Sequence, residues 1–260
     1  MTTLAIDYQD IIAASQRIKG HAVITPLLES PMLNQELGGR ILFKAENIQR
    51  TGSFKFRGAF NKLSILAQAN QLSGVVAYSS GNHAQGVAAA AAYFGVPATI
   101  IMPADAPQIK ITNTKTLGAR VVLYDRNTED REAIGLKLAH EHNLTLVPPY
   151  DDADIIAGQG TVGLEAANQL EALGLVPDQA IGPIGGGGLM SGTATALKYH
   201  FPNITVWGAE PEGHDDAARS ISVGQRLANK NAPSSICDAI VTPMVGKLTF
   251  PIIQRYLDGA

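Results

Sequence analysis

From Val75 onward the chain alternates short apolar runs with helical segments, and this alternation restricts the fold more than any other feature of the sequence. "VVAY" at 75–78 precedes a helical stretch over about 82–94, "ATIIM" at 98–102 a helix with Pro107 in its first turn, and "RVVLY" at 120–124 a helix over about 127–142. Apolar runs of four or five residues without polar alternation suit strands buried on both faces, as in parallel sheets covered by helices. Pro107 near a helix start and Gly118 just past its end fit the usual boundary asymmetry. The pattern restarts after "VPPYDD" with "QAIGPI", a helix behind a glycine run, and "ITVWGAE". The expectation is an α/β chain with two groups of parallel strands: a smaller domain over 74–149, inserted in a larger one made of 1–73 and 150–260. A chain of 260 residues, 45% of them hydrophobic, can fill two modest cores.

Charge and cysteine content narrow the function classes. Twenty basic against 23 acidic side chains give a net charge of -3, and no run of like charges offers a nucleic-acid or anionic-membrane footprint. The N-terminal ten residues carry two aspartates and no signal-peptide core, and no apolar run is long enough to span a bilayer. A cytoplasmic protein acting on a small molecule is expected. Cys237 is the single cysteine, which excludes an internal disulfide and a cysteine-cluster metal site.

Three constellations could carry chemistry. "PIGGGGLMSG", 183–192, follows an apolar strand and runs into a helix. Four consecutive glycines let backbone N–H groups turn toward one concavity at a helix N-terminus, where the dipole favours an anion such as phosphate. The same run also reads as a tight turn. Leu189 and Met190 stand where a P-loop needs Gly-Lys-Ser/Thr, whereas Glu210 after the next strand keeps a nicotinamide-cofactor reading open. "SSGNHAQG", 79–86, opens an alanine-rich helix with backbone donors and the side chains of Ser79, Ser80, Asn82 and His83; it reads either as a carboxylate cradle or as a helix cap. "TGSFKFRGA", 51–59, sets Lys55 between Phe54 and Phe56, either as a lysine whose stem lies on apolar surface or as a desolvated amine able to form a Schiff base. Arg57 is placed to hold a carboxylate such as Glu46. Together, a phosphate cradle, a carboxylate cradle and a desolvated lysine are the fixtures that pyridoxal 5'-phosphate carrying an amino acid requires.

With "ENIQRTGSFKFRGA", "SSGNHAQG", "PPYDDADIIAGQGTVGLE", "PIGGGGLMSG" and "GAEPEGHDDAARS" in this order, the chain resembles the serine/threonine dehydratase and serine racemase family of fold-type II pyridoxal-phosphate enzymes, from about Thr25 to Leu257. The resemblance implies a two-domain fold of the tryptophan synthase β type and a homodimer. It implies that Lys55 carries the cofactor and then acts as base at Cα, and that Phe54 packs beside the ring. Asn82 would bond the ring oxygen, and Gly185, Gly186, Gly187, Gly188 and Leu189 the phosphate. Ser79, Ser80, Gly81, Asn82 and His83 would hold the substrate carboxylate. Phe56-Arg57-Gly58-Ala59 after the lysine favours dehydratases over the related β-replacement enzymes. The implied reaction is α,β-elimination on a 3-hydroxy amino acid, L-threonine or L-serine first, with serine racemase and threo-3-hydroxyaspartate dehydratase as alternatives. Ser80 is the implied proton donor on the opposite face of Cα in a racemase.

Glu210, the backbone carbonyl of His214 and Asp216 are, by the same resemblance, ligands of a divalent cation, Mg²⁺ or else Ca²⁺ or Mn²⁺, for which hard oxygen donors are suited. From the residues alone, Asp215 or Asp216 reads equally as an acidic helix cap. Family members continue past the position of Ala260 with a last strand whose serine bonds the pyridine nitrogen. The reading of another class is therefore a shortened relative of these enzymes that binds an amino acid without turning it over.

Overall fold

The computed structural model describes residues 3–230 and 233–260. Helix α1 (Tyr8–Ile18) starts on a capping box in which Asp7 and Asp10 exchange hydrogen bonds with each other's backbone. It is followed by strand β1 (Leu27–Glu29), helix α2 (Pro31–Leu37) and strand β2 (Leu42–Lys44), with β1 and β2 antiparallel and Leu28 opposite Phe43. Helix α3 (Lys55–Gln68) then leads to the first parallel sheet.

That sheet contains β3 (Val75–Tyr78), β4 (Ala98–Pro103), β5 (Arg120–Tyr124) and β6 (Thr145–Leu146), joined by α4 (Asn82–Phe94), α5 (Gln108–Thr116) and α6 (Arg131–His142). The strand order is β5-β4-β3-β6, parallel throughout, which makes β3 and β4 the inner strands. Every residue of β3 and β4 is buried, as their unalternated apolar composition anticipates. Two boundaries differ from the expectation. Helix α6 begins at Arg131, because the N–H groups of Thr128 and Glu129 both turn onto the Asp125 carbonyl and Asp130 becomes the cap, accepting from Glu132 N at 2.8 Å. Helix α5 begins at Gln108, so Pro107 immediately precedes the helix.

The second half runs α7 (Ala153–Ala172), β7 (Gln179–Pro183), α8 (Gly188–His200), β8 (Thr205–Ala209), α9 (Asp216–Val223) and α10 (Thr249–Tyr256). Strands β7 and β8 are parallel, and Gly259 bridges to Trp207 beside them. Helix α7 crosses α3 at glycines: a Cβ on Gly158 would stand 2.5 Å from the Gly58 Cα, so neither position has room for a side chain. This crossing fixes α3, and with it Lys55, against the body of the protein. Among the described residues, no helix is long and apolar enough to cross a membrane.

Candidate active site

The carboxyl ends of β3 and β7 open on one cavity of about 650 Å³. Lys55 projects into it from the first turn of α3, the loop 79–83 bounds one side, the run 185–189 another, and the segment 236–243 lies across it. Every residue expected to touch cofactor or substrate therefore lines a single space: Phe54, Lys55, Ser79, Ser80, Gly81, Asn82, His83, Gly185, Gly186, Gly187, Gly188 and Leu189.

The Lys55 side chain faces the cavity, yet the protein surrounds its ammonium, and burial pushes its pKa down to about 8. The Nζ donates to the Pro149 carbonyl at 2.6 Å and stands 5.4 Å from the centre of the Phe54 ring. Phe56 turns the other way, into the core against Phe60. Arg57 is fully buried and binds both oxygens of Glu46, at 2.7 and 2.9 Å, and both of Glu165, at 2.6 and 2.9 Å. Burial alone would weaken the Arg57 charge, but the bonds to Glu46 and Glu165 hold it well above its ordinary pKa. The sequence identifies Glu46 as its partner; Glu165, far along the chain on α7, is not readable there.

His83 is buried, and its Nε2 lies 2.9 Å from the Val147 carbonyl. A carbonyl only accepts, so Nε2 carries the proton and Nδ1 presents a lone pair, for which no partner exists among the described residues. Burial, reinforced by the nearby Lys55 charge, pushes the imidazole down to about 3. The ring is thus neutral, and only the backbone N–H of His83 can serve a carboxylate. In the same loop the Ser79 hydroxyl accepts from Gly81 N at 3.1 Å, which leaves Ser80 as the uncommitted hydroxyl.

The glycine run has a distinct construction. Gly187 caps α8 with φ 91°, in the left-handed region, and a Cβ there would stand 2.5 Å from Ile253 Cδ1 and 2.9 Å from Thr249 Oγ1. A Cβ on Gly186 would fall inside the Tyr150 ring. The Gly186 carbonyl accepts from Thr249 Oγ1 at 2.7 Å and from Gly246 N at 3.1 Å. The run is therefore anchored on its α10 side. The hydroxyls of Ser53 and Thr242, both on the cavity, have no partner among the described residues. Unpartnered buried hydroxyls, a cradle closed to side chains and an enclosed amine together fit an anionic, polar cofactor joined to Lys55.

The expected cation ligands lie apart from the cavity, at the junction of β8 and α9. Both Glu210 oxygens are taken by helix α9, accepting from Ala217 N and Ala218 N at 2.9 Å each. Glu210, not Asp215 or Asp216, is thus the residue whose side chain caps this helix. Asp216 accepts from Asn229 Nδ2 at 2.6 Å through one oxygen, while its other oxygen is buried without a hydrogen-bond partner among the described residues. Burial pushes both carboxyls up, and the Asp216 charge pushes Glu210 further. The His214 ring turns away to the Pro233 carbonyl at 2.8 Å. Among the described residues, no three His, Cys, Asp or Glu side chains gather as a metal-holding set.

Val147, Pro149, Tyr150 and Arg131 also shape the cavity or its lining residues and are not singled out by the sequence. Two of them act through backbone carbonyls, which leave no trace in residue type.

Parallel strands ending at glycine-fronted helices, with an enclosed lysine between them, are the makings of a cofactor-dependent α/β enzyme. Residues 18–260 match the family of pyridoxal-phosphate dependent enzymes, and the chain belongs to that family. It is 48% identical over 248 residues to the L-threo-3-hydroxyaspartate ammonia-lyase of a Pseudomonas species, covering 95% of this chain and 76% of that one. It is 42% identical over 251 residues to the serine racemase of Schizosaccharomyces pombe, with 96% and 76% covered. The crystal structure of a T.th. threonine deaminase superposes with a TM-score of 0.92 at 44% identity, covering 98% of this chain and 81% of that one. The fold expectation, a fold-type II α/β enzyme with helix-flanked parallel sheets, holds.

Proposed function

We propose that the chain eliminates water and ammonia from a 3-hydroxy amino acid, releasing a 2-oxo acid, with pyridoxal 5'-phosphate joined to Lys55. The observation that carries this reading is the Lys55 ammonium, enclosed and pushed down to about 8 by burial, set between the two glycine-fronted helix starts. The names of the relatives, hydroxyaspartate ammonia-lyase and threonine deaminase, support it.

When bound, pyridoxal 5'-phosphate supplies an electron sink that acidifies Cα of an attached amino acid. The N–H groups from Gly185 to Leu189, aided by the α8 dipole, would hold its phosphate, Phe54 would pack on the ring, and Asn82 would bond the ring oxygen. Backbone donors of Ser79 to His83 hold the substrate carboxylate and fix which bond at Cα faces Lys55. Lys55, as a neutral amine, takes the α-proton; its lowered pKa raises the neutral fraction near neutrality. The Cβ–O bond breaks and water leaves. One water is taken up as the C–N bond is lost, so the net products are the 2-oxo acid and ammonia. The neutral His83 ring contributes no proton to any of these steps.

Ser80, with its hydroxyl uncommitted on the cavity, supports a second reading as a racemase, in which it returns a proton to the opposite face of Cα. We assign the division of labour to a small domain at 74–149 and a large one at 1–73 and 150–260, working as a cytoplasmic homodimer. A divalent cation between Glu210 and Asp216, helped by the His214 carbonyl, is supported by the Asp216 oxygen that has no partner among the described residues.

Purified protein is expected to be yellow and to lose its visible absorption in Lys55→Ala. Incubation with L-threonine, L-serine, D-serine and threo-3-hydroxyaspartate, following 2-oxo acid and enantiomer ratio, tests the reaction. A preparation that takes up cofactor but forms no 2-oxo acid from any of them would refute the elimination.

A further inference from the structure

Glycines make an anion cradle possible but do not keep it formed. The peptide plane between two glycines turns over at little steric cost, because the second glycine tolerates φ on either side of zero. In the run 185–188 the plane that matters lies between Gly186 and Gly187. It is trans, so the Gly186 carbonyl and the Gly187 N–H point in opposite directions. Whichever of the two faces the cavity decides what an anion meets there: a donor, or a carbonyl oxygen that repels it.

The carbonyl is held from outside the cavity. Thr249 Oγ1 donates to it at 2.7 Å and Gly246 N at 3.1 Å; neither of these residues lines the cavity, whereas Gly186 and Gly187 both do. The Gly187 N–H is thereby aimed at the cavity side, and among the described residues no backbone acceptor takes it. Turning the plane over would break both bonds and carry Gly187 out of the left-handed region, from φ 91°. Thr249 is itself fixed. It is fully buried, and its own carbonyl accepts at 3.2 Å from the hydroxyl of Ser191, also fully buried, in the first turn of α8. Thr249 therefore holds the glycine run, and the helix that the run opens holds Thr249.

We propose that Thr249 is a positioning residue for the cofactor phosphate: its hydroxyl keeps the Gly186–Gly187 peptide in the orientation that presents the Gly187 N–H, and Ser191 keeps Thr249 in place. The proposal rests on the cofactor reading above. Thr249 acts through one peptide plane, so its effect is confined to ligands that carry a phosphate. Without the hydroxyl the Gly186 carbonyl is left with the Gly246 N–H alone, and the peptide is free to sample both orientations.

The experiment compares wild type with Thr249→Val, which keeps the shape and removes the hydroxyl, with Thr249→Ser, which keeps the hydroxyl, and with Ser191→Ala. Each cofactor-free protein is titrated with pyridoxal 5'-phosphate and with pyridoxal, which offers Lys55 the same aldehyde and no phosphate. Thr249→Val is expected to weaken the phosphorylated ligand about 10-fold, the scale of one hydrogen bond, and to leave pyridoxal within about two-fold. Thr249→Ser is expected to restore most of the loss, and Ser191→Ala to show the same selectivity at about three-fold. Equal losses for the two ligands would mark Thr249 as a support of the fold alone and overturn the proposal, as would an unchanged affinity for both. If Thr249→Val does not fold, Ser191→Ala decides by the same comparison. If wild type takes up no cofactor, the cofactor reading falls and inorganic phosphate decides the role of Thr249: a rise in melting temperature in wild type that Thr249→Val lacks supports it, and equal shifts, or none, overturn it.

Discussion

The turns from β3 into α4 and from β7 into α8 are built to the same plan and finished differently. Each leaves the carboxyl end of a parallel strand, enters its helix through a glycine cap, Gly81 or Gly187, and has no side chain capping the first turn. Gly187 is left-handed and hemmed in by Thr249 and Ile253. Gly81 has φ -173°, outside the left-handed region, and its nearest neighbour is the flexible Lys110 stem, 3.1 Å from a Cβ placed there. The first turn also adds hydroxyls and an amide to the cavity, while 185–188 offers backbone only. A group that binds once and stays is suited by a rigid backbone cradle. One that arrives and leaves at every turnover is better met by side chains that can adjust.

Gly187→Ala should produce the largest effect. A left-handed alanine in contact with Ile253 and Thr249 is expected to cost about 4 kcal/mol of stability and to weaken cofactor binding by at least about 100-fold. Denaturant melts and cofactor titration measure both. A variant that loads normally would erase the distinction between the two turns.

Lys55 stands between them, and its charge is a liability before the cofactor arrives. Its folded pKa of about 8 lies below the ordinary 10.5, so the folded state gives up this proton before the unfolded chain does. Stability of the cofactor-free protein is therefore reduced below pH 8 and recovers as pH rises from about 8 to 10.5. Lys55→Met is expected to raise it by up to about 3 kcal/mol at pH 7, with the gain vanishing near pH 10.5, as urea melts at the two pH values would show.

The junction of β8 and α9 extends the comparison, since it carries carboxylates where the other two carry glycine. Glu210 and Asp216 have raised pKa values, so their burial costs nothing at low pH and costs stability as pH rises through those values. Added Mg²⁺ is expected to offset about 1–3 kcal/mol at neutral pH and nothing in acid, read as a chelator-reversible shift in melting temperature. A shift independent of pH would count against the pair.

Gly81→Ala is expected to be the mildest change, below about 1 kcal/mol, with a few-fold rise in KM as the Lys110 stem moves aside. A loss comparable to that of Gly187→Ala would show the first turn to be as rigid as the second.

The strands from 75 to 124 and helix α4 are legible in the sequence because burial on both faces writes itself into composition, and "VVAY" or "ATIIM" has few other uses. Strand β6 is not, since two residues, Thr145 and Leu146, carry no periodicity. The start of α6 differs from its expected place because Asn127 looks as good a cap as Asp130, and only the local turn on the Asp125 carbonyl decides. In the site, Lys55 and the glycine run are readable from residue type. The Val147 and Pro149 carbonyls that hold His83 and Lys55 are not, because backbone groups leave no trace in residue type.

One short stretch, Val147 to Asp151, touches nearly every part described above. Val147 holds the His83 ring, Pro149 the Lys55 ammonium, Tyr150 covers Gly186, and Asp151 accepts from Lys247 N and Leu248 N at 2.8 and 2.7 Å. Once Lys55 is engaged elsewhere, the Pro149 carbonyl loses its donor, and the disturbance starts at the point where both glycine turns and α10 meet. The stretch is thus a junction box that ties the lysine, the loop before α4, the glycine run and the start of α10 to five consecutive residues, and carbonyl-labelled Pro149 is expected to report occupancy of Lys55 before any product forms.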